Sequence, residues 1–507
     1  MKKHKYILLA FIALKFVLQY FAINPVYELH RDEYLHLDLG KHLAWGYTSV
    51  PPLTGLLSSL ILALGNSVFW VKFFPALFGA LVIWVVWKIV EELNGGLFAQ
   101  ILAATGVLFS VFVRVNILYQ PNSVDFLCWT LLFYTLLKYF KTNENRWLYY
   151  SALVLALGLL NKYNIGFLLL GFIPAILLSP QRTVFKNKHL WLAALTAVVL
   201  VLPNIIWQIR NGLPVVTHMQ TLADTQLVNV RRIDFLLEQL SFFPGALLVI
   251  LLGFVSFFTF RPHKNYRLFF FAFLFTMAIF TYLRAKNYYS IGIYPAFIAF
   301  GAVYIEHLLS RGWLRYLRVP AVLIPVLIFI QVMPIMLPVY SPEKIVEKKD
   351  LYAKYGVNRW EDGKIHDLPQ DYADMQGWKE LAQLVDSAFT LVDDKKHTII
   401  HCDNYGQAGA INYYSIQNYT EALSMNADYI FWYPLDEFEI QNVILVQVSS
   451  DDDPERKREQ AFFDEISLVG KIQNPYAREV GTSVYLLKGA KVSINTILHE
   501  EIESRRH

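Results

Sequence analysis

The chain begins MKKHKYILLAFIALKFVLQYFAINPVYELHRDEY, Met1 to Tyr34: a basic tail, an apolar run over about residues 6 to 23, and then His30, Arg31, Asp32, Glu33 and Tyr34. The run is long enough to cross a bilayer, and no small-residue cleavage site follows it, so it reads as a retained first span. Two adjacent carboxylates directly after a span are a candidate site at a membrane face. They would serve equally as the N-terminal charges of an interfacial helix. Gly46-Tyr47 and Pro51-Pro52-Leu53 follow at short distance.

Composition extends this reading to the whole chain. The 507 residues are 55% hydrophobic and 17% charged, with 37 Phe, 30 Tyr and 12 Trp, the profile of a polytopic membrane protein. A net charge of +4 over this length, with 41 acidic residues, leaves no nucleic-acid footprint. Of the two cysteines, Cys128 lies in an apolar run and Cys402 in a polar region, which argues against a disulfide framework.

Apolar runs recur at 6–23, 68–90, 96–113, 121–140, 147–161, 164–180, 190–209, 240–260, 267–283, 288–308 and 319–339. They imply about eleven transmembrane helices, with the stretch from Pro51 to Leu64 lying along the interface. Loops rich in Lys and Arg mark the cytoplasmic side. One set carries Lys2, Lys3 and Lys5, then Lys138, Lys141 and Arg146, then Arg182, Lys186 and Lys188, and later Arg261, Lys264, Arg267, Arg311, Arg315 and Arg318. The N-terminus is therefore expected inside and the Asp32-Glu33 loop outside. Lys15 is the exception, a charge in the middle of the first span that must snorkel or face protein.

After Tyr340 hydropathy falls. A charged linker, Ser341 to Asp350, leads into a region in which 398–402, 443–448 and 482–487 read as strands and 406–414 as a helix. The expected organisation is a membrane domain over 1–340 and a soluble α/β domain over 341–507 on the extracytoplasmic side. No P-loop, GxSxG or metal-ligand spacing occurs in the soluble part.

On this topology the unusual polar residues gather outside: Asp32 and Glu33, Arg114 and Asn116, Asn122 and Asp125, Asn161 to Asn164 with Lys162, and Arg284, Lys286, Asn287, Tyr288 and Tyr289, while the loop from Arg210 to Glu238, with Arg231 and Arg232, reads equally as lid or spacer. Adjacent carboxylates do not match the separated pair that glycoside hydrolysis uses. Sugar transfer from a lipid phosphate asks for less: cations for a phosphate that leaves as a stable anion, and one base for the incoming hydroxyl.

The chain resembles the polyprenyl-phosphate-dependent glycosyltransferases of the GT-C fold, in the protein O-mannosyltransferase-like group that includes the aminoarabinose transferases. The resemblance is carried by Asp32-Glu33-Tyr34, Gly46-Tyr47, Pro51-Pro52-Leu53, Gln120-Pro121 with Asp125, Gly158-Leu159-Leu160-Asn161-Lys162, Lys286-Asn287-Tyr288-Tyr289 and Tyr294-Pro295. It covers about residues 1 to 310. Tyr372-Ala373-Asp374-Met375, Gly377-Trp378 and Asn404 to Ala410 resemble the soluble domains of bacterial members. One departure stands out: the aminoarabinose transferases carry a Lys just before the proline pair, where this chain has Ser49 and Val50.

The resemblance implies Asp32 as the base for the acceptor and Glu33 as organiser of the acceptor or of the base. It further implies that Lys162 and Lys286 hold the donor phosphate with Tyr288 beside it, and Arg31, Tyr34, Arg114, Asp125 and Arg284 complete the candidate substrate-binding set. The expected substrate is a polyprenyl-phosphate sugar, the acceptor a lipid, glycan or protein, and the location a bacterial inner membrane with the N-terminus cytoplasmic. No protein-bound cofactor is called for. A divalent ion beside Asp32 and Asp125 is compatible with the carboxylates, although no ligand cluster is visible. The alternatives are a transporter or flippase of lipid-linked sugars, for which no internal repeat is found, and a silent scaffold, which would not explain the clustered Asp32, Lys162 and Lys286.

Overall fold

The structure, a computed structural model, describes residues 2–225, 227–417 and 420–506; Met1 and the side chains of Lys2 and Lys3 from the basic tail, and Gln226 in the 210–238 loop, lie outside the described residues, as does His507. Two compact units emerge: Met1–Asn24, Ala44–Thr54 and Leu64–Val339 form the first, and Pro25–Leu43, Gly55–Ala63 and Tyr340–His507 the second.

This differs from a single boundary at 340. The segment after the first helix joins the polar C-terminal residues because its backbone is hydrogen-bonded to them. Glu28 N donates to Met375 O at 2.9 Å and Arg31 N to Asp374 O at 3.2 Å. The Glu28 carboxylate accepts from Trp378 N at 2.7 Å, at the start of helix Trp378–Thr390. Within the same unit, helix Leu53–Ala63 is held to that segment by Ser58 Oγ, which donates to His36 O at 2.5 Å.

In the first unit, among the described residues, each apolar run read from the sequence is helical. By length and composition six helices qualify as membrane-crossing, or up to eight if each bent pair is one span. Of the eleven expected spans, those outside this number include Leu97–Leu108, with 12 residues, and Arg146–Asn161, with 16, each below the roughly 20 that a straight crossing needs.

Close packing rests on small residues and aromatic rings, as expected where lipid supplies no hydrophobic drive between helices. Gly301 of helix Tyr294–Leu308 lies against the main chain of helix Leu247–Thr259, so that a Cβ there would collide with Val249 O. Phe133 meets Phe172, Phe269 and Phe297 at centroid separations of 5.2, 5.5 and 5.7 Å. Lys15 is 1% exposed and faces protein. Its Nζ donates to Gln19 Oε1 at 2.9 Å and Phe112 O at 3.0 Å. Gly79 makes the room, since a Cβ there would stand 2.6 Å from Lys15 Cε.

The second unit contains a five-stranded sheet of order β2-β1-β3-β5-β4. The strands are β1 Thr398–Cys402, β2 Ala422–Ser424, β3 Asn442–Gln447, β4 Phe463–Lys471 and β5 Ser483–Ala490. β1 runs parallel to β2 and β3, while β5 is antiparallel to β3 and β4. Helix Tyr405–Tyr414 connects β1 to β2, the crossover that parallel strands require. The residues 341–350, read as a linker, instead form helical turns, Pro342–Glu347 and the start of Lys349–Lys354. Buried Ile345 and Tyr352 explain the difference, because charged neighbours masked two apolar anchors.

Candidate functional site

Helix Arg31–Asp38 begins with a capping box: His30 Nδ1 accepts from Asp32 N at 3.2 Å, and His30 N donates to Glu33 Oε2 at 2.8 Å. Glu33 is fully buried in this role, which ties it to the start of the helix that carries Asp32. Tyr34, expected to touch substrate, is also fully buried. Its ring is edge-on to Trp378 at 5.9 Å and to Tyr414 at 5.7 Å. The capping therefore separates the pair: Asp32 keeps a side chain one-third exposed, 33%.

Around Asp32 lie groups that favour its ionised form. Tyr405 Oη donates to Asp32 Oδ1 at 2.7 Å, and the Arg31 guanidinium sits over the Tyr405 ring, 4.6 Å from its centroid. His30 Nδ1 is 3.8 Å from Asp32 Oδ2, and its Nε2 is 3.6 Å from Asp374 Oδ2. Burial pushes the Asp32 carboxyl up, but the charges of His30, His36 and Arg31 and the Tyr405 hydroxyl outweigh it and hold it at about 2. Burial also works against the Arg31 charge, yet Tyr405, Asp374 and Asp32 leave its pKa raised.

Further along the same helix is a carboxylate not singled out from the sequence. Buried Asp38 accepts from Asn412 Nδ2 at 2.8 Å, Tyr429 Oη at 2.8 Å and Lys41 Nζ at 2.9 Å. Lys41 also pairs with Glu421 at 3.0 Å, and His42 reaches the same carboxylate at 2.6 Å. Lys41 is three positions away, but Asn412, Tyr429 and Glu421 lie hundreds of positions further on, so no local pattern announces the cluster.

The first unit brings together three motifs that are far apart in sequence. Asp125, at the start of helix Asn122–Thr142, accepts from Trp129 Nε1 at 3.0 Å and Asn164 Nδ2 at 2.8 Å. The same Asn164 amide donates to Tyr289 O at 2.9 Å. Lys162, in the turn between helices Arg146–Asn161 and Ile165–Leu177, donates to Asn122 Oδ1 at 2.8 Å. Its ammonium stands 5.1 Å from the Tyr288 ring and 4.5 Å from the Tyr289 ring. Lys162 is attracted by Asp125 and repelled by Lys286. Lys286 also acts on His218, whose imidazole is pushed down first by burial and then by this charge.

Arg114 lies in the short helix Phe112–Val115, and Arg284 follows helix Arg267–Tyr282 with a left-handed φ of 51°. His218 is an addition to the residues read from sequence, and Asn164 and Tyr289, read there only as members of polar motifs, join the site through hydrogen bonding and ring contact. Asp32 and Asp125, the carboxylates considered beside a divalent ion, belong to different units. Among the described residues no group of three or more His, Cys, Asp or Glu is arranged to hold a metal ion.

Residues 49–207 match the sequence model of the dolichyl-phosphate-mannose-protein mannosyltransferase family, a segment that contains both Asp125 and Lys162. Over 209 residues the chain is 26% identical to the lipid A galacturonosyltransferase RgtD of Rhizobium johnstonii. That alignment spans 40% of this chain and 43% of the relative. ArnT of Cupriavidus metallidurans bound to undecaprenyl phosphate superposes with a TM-score of 0.63 at 12% identity, covering 96% of this chain and 98% of that one. Its apo form gives 0.60 at 10% identity, covering 98% and 99%. The protein thus has the GT-C fold of ArnT, a multi-pass helical membrane part with a C-terminal α/β part, and is similar over 49–207 to the dolichyl-phosphate-mannose-protein mannosyltransferases.

Proposed function

We propose that this protein is a glycosyltransferase that moves a sugar from a polyprenyl-phosphate donor to an acceptor hydroxyl at the outer face of a bacterial inner membrane. The observation that carries the reading is the Lys162 ammonium held beside the Tyr288 and Tyr289 rings and attracted by Asp125, with Lys286 adding positive charge; Lys162 and Asp125 lie within the segment that matches a lipid-phosphate-sugar family. Two cations suit a donor phosphate, and the rings beside Lys162 limit its hydration, which strengthens its attraction for an anion.

In this account the acceptor oxygen attacks the anomeric carbon as the bond to the donor phosphate breaks. Attack from the face opposite the leaving group inverts the configuration. The phosphate departs as an anion neutralised by Lys162 and Lys286, so no acid is needed on the leaving side. Asp32, ionised throughout the neutral range, accepts the hydroxyl proton. A carboxylate held near 2 is a weak base, so this proton moves late, after positive charge has developed on the sugar and made the attacking hydroxyl acidic. The ArnT structure bound to undecaprenyl phosphate and the lipid A galacturonosyltransferase relative make undecaprenyl-phosphate galacturonate and lipid A the first donor and acceptor to try.

The test is transfer of radiolabelled sugar from undecaprenyl-phosphate galacturonate, and from the mannose and aminoarabinose donors, to lipid A and membrane extracts by the purified full-length chain. Label in acceptor supports the reading. Donor moved across vesicles with no transfer would support the transporter instead.

A further inference from the structure

The Asn404-Tyr405-Gly406-Gln407 segment was noted in the sequence without a role, and the second unit places it against the acidic loop. Asn404 caps helix Tyr405–Tyr414: its Oδ1 accepts from Gly406 N at 3.0 Å and Gln407 N at 3.2 Å. Asn404 Nδ2 and Gln407 Nε2 donate to Glu479 at 3.3 and 3.0 Å. Tyr405 therefore projects from a fixed helix start. Gly406 lets the two segments close, since a Cβ there would lie 3.2 Å from Arg31 Cβ.

We propose that Tyr405 is a positioning residue for Asp32, its phenol holding Oδ1 and its ring seating the Arg31 guanidinium, so that the α/β part of the chain builds the catalytic carboxylate's surroundings. This rests on the reading of Asp32 as the proton acceptor. The hydroxyl donates at every working pH, because burial first and the Asp32 charge next push the phenol well above its ordinary value. A hydrogen bond from a neutral donor fixes a carboxylate's rotation without neutralising it, whereas a lysine in that place would form an ion pair and compete with the acceptor hydroxyl. Asp374 faces the same cluster, bound by Arg478 at 3.2 Å, and holds His30 and Arg31 in place by charge. The groups that set the Asp32 charge are thus His30, Arg31 and His36 from its own segment, Tyr405 from the helix, and Asp374 from the loop before Trp378.

The test reads Asp32 directly, at neutral pH where the fold is intact. A water-soluble diazo reagent esterifies protonated carboxyls, so the labelling rate of Asp32, read by peptide mass spectrometry of the full-length protein, follows its protonated fraction. Tyr405→Phe is expected to raise that rate about tenfold, the effect of losing one hydrogen bond to an ionised group. Replacing Tyr405 by 3-fluorotyrosine, a stronger donor, is expected to lower it. An unchanged rate in a folded Phe variant, or in the fluorotyrosine protein, overturns the proposal. The same variants are then assayed for sugar transfer. A positioning role lowers kcat with donor KM held and is rescued by fluorotyrosine, and a merely structural role lowers transfer in step with the folded fraction. If Asp32→Asn still transfers sugar while the Tyr405→Phe labelling rate rises, the base assignment fails and the Tyr405 contact survives.

Discussion

Asn164 Nδ2 donates to Asp125 Oδ2 at 2.8 Å, joining the turn after helix Arg146–Asn161 to the start of helix Asn122–Thr142. Because the same amide reaches Tyr289 O, one side chain fixes three segments around Lys162. Asn164→Ala removes both hydrogen bonds and leaves Asp125 with one fewer donor. The expected result is a donor KM raised about tenfold with a smaller change in kcat, the signature of lost donor positioning. Steady-state transfer kinetics at saturating acceptor check it.

Lys162 should behave differently from its neighbours. Lys162→Met keeps much of the side-chain bulk against the tyrosine rings and removes the charge. Undecaprenyl phosphate binding, read by tryptophan quenching, is expected to weaken at least tenfold, on the order of 1.4 kcal/mol. Lys162→Arg should retain more affinity than Lys162→Met.

The Asp32-Glu33 pair should separate cleanly. Glu33→Ala breaks a capping box, a loss of about 1 kcal/mol of helix stability, so a lower thermal midpoint is the expected outcome. Circular dichroism melting of the full chain reads this, and any loss of transfer should follow the folded fraction.

Acid should loosen the second unit in two steps. His401 on β1 is hydrogen-bonded to Tyr433 at 2.7 Å, with Glu501 and Arg505 as the charged groups facing it. Burial lowers its imidazole from 6.5 to about 4, so the unfolded chain takes up this proton first and stability is lost as pH falls from 6.5 towards 4. Glu421 moves from 4.5 to about 2. Burial opposes the shift, but the hydrogen bonds and charges of His42 and Lys41 prevail, so its contribution is present above 4.5 and lost between there and about 2. Thermal midpoints measured across pH 7 to 2.5 are expected to show both falls. His401→Gln should remove the first and leave the second.

Apolar runs announced the membrane helices because a lipid-facing helix must be apolar along its length, and that information is local. The same held for β1, β3 and β5, which are buried on both faces. β4 was missed because its sequence, FDEISLVGK, alternates irregularly and leaves Asp464 and Glu465 exposed, and β2 has only three residues. A helix start at Asp32 and Glu33 was among the readings of the sequence, but the part of His30 in it was not, because histidine is not a usual capping residue. Lys15 could be read as snorkelling or as facing protein, and Phe112, 97 positions away, supplies the acceptor that decides for protein. The polar motifs that contain Asp125, Lys162 and Tyr288 were legible one by one in the sequence; that they meet was not. The Tyr405–Asp32 bond, spanning 373 positions, was not.

The most direct measurement compares the wild-type chain with Asp32→Asn in transfer of radiolabelled sugar from undecaprenyl-phosphate donor, with donor binding measured alongside. The account expects Asp32→Asn to bind donor and to lose transfer by about a thousandfold, in the range that removal of a general base produces. Equal transfer by both proteins would contradict it.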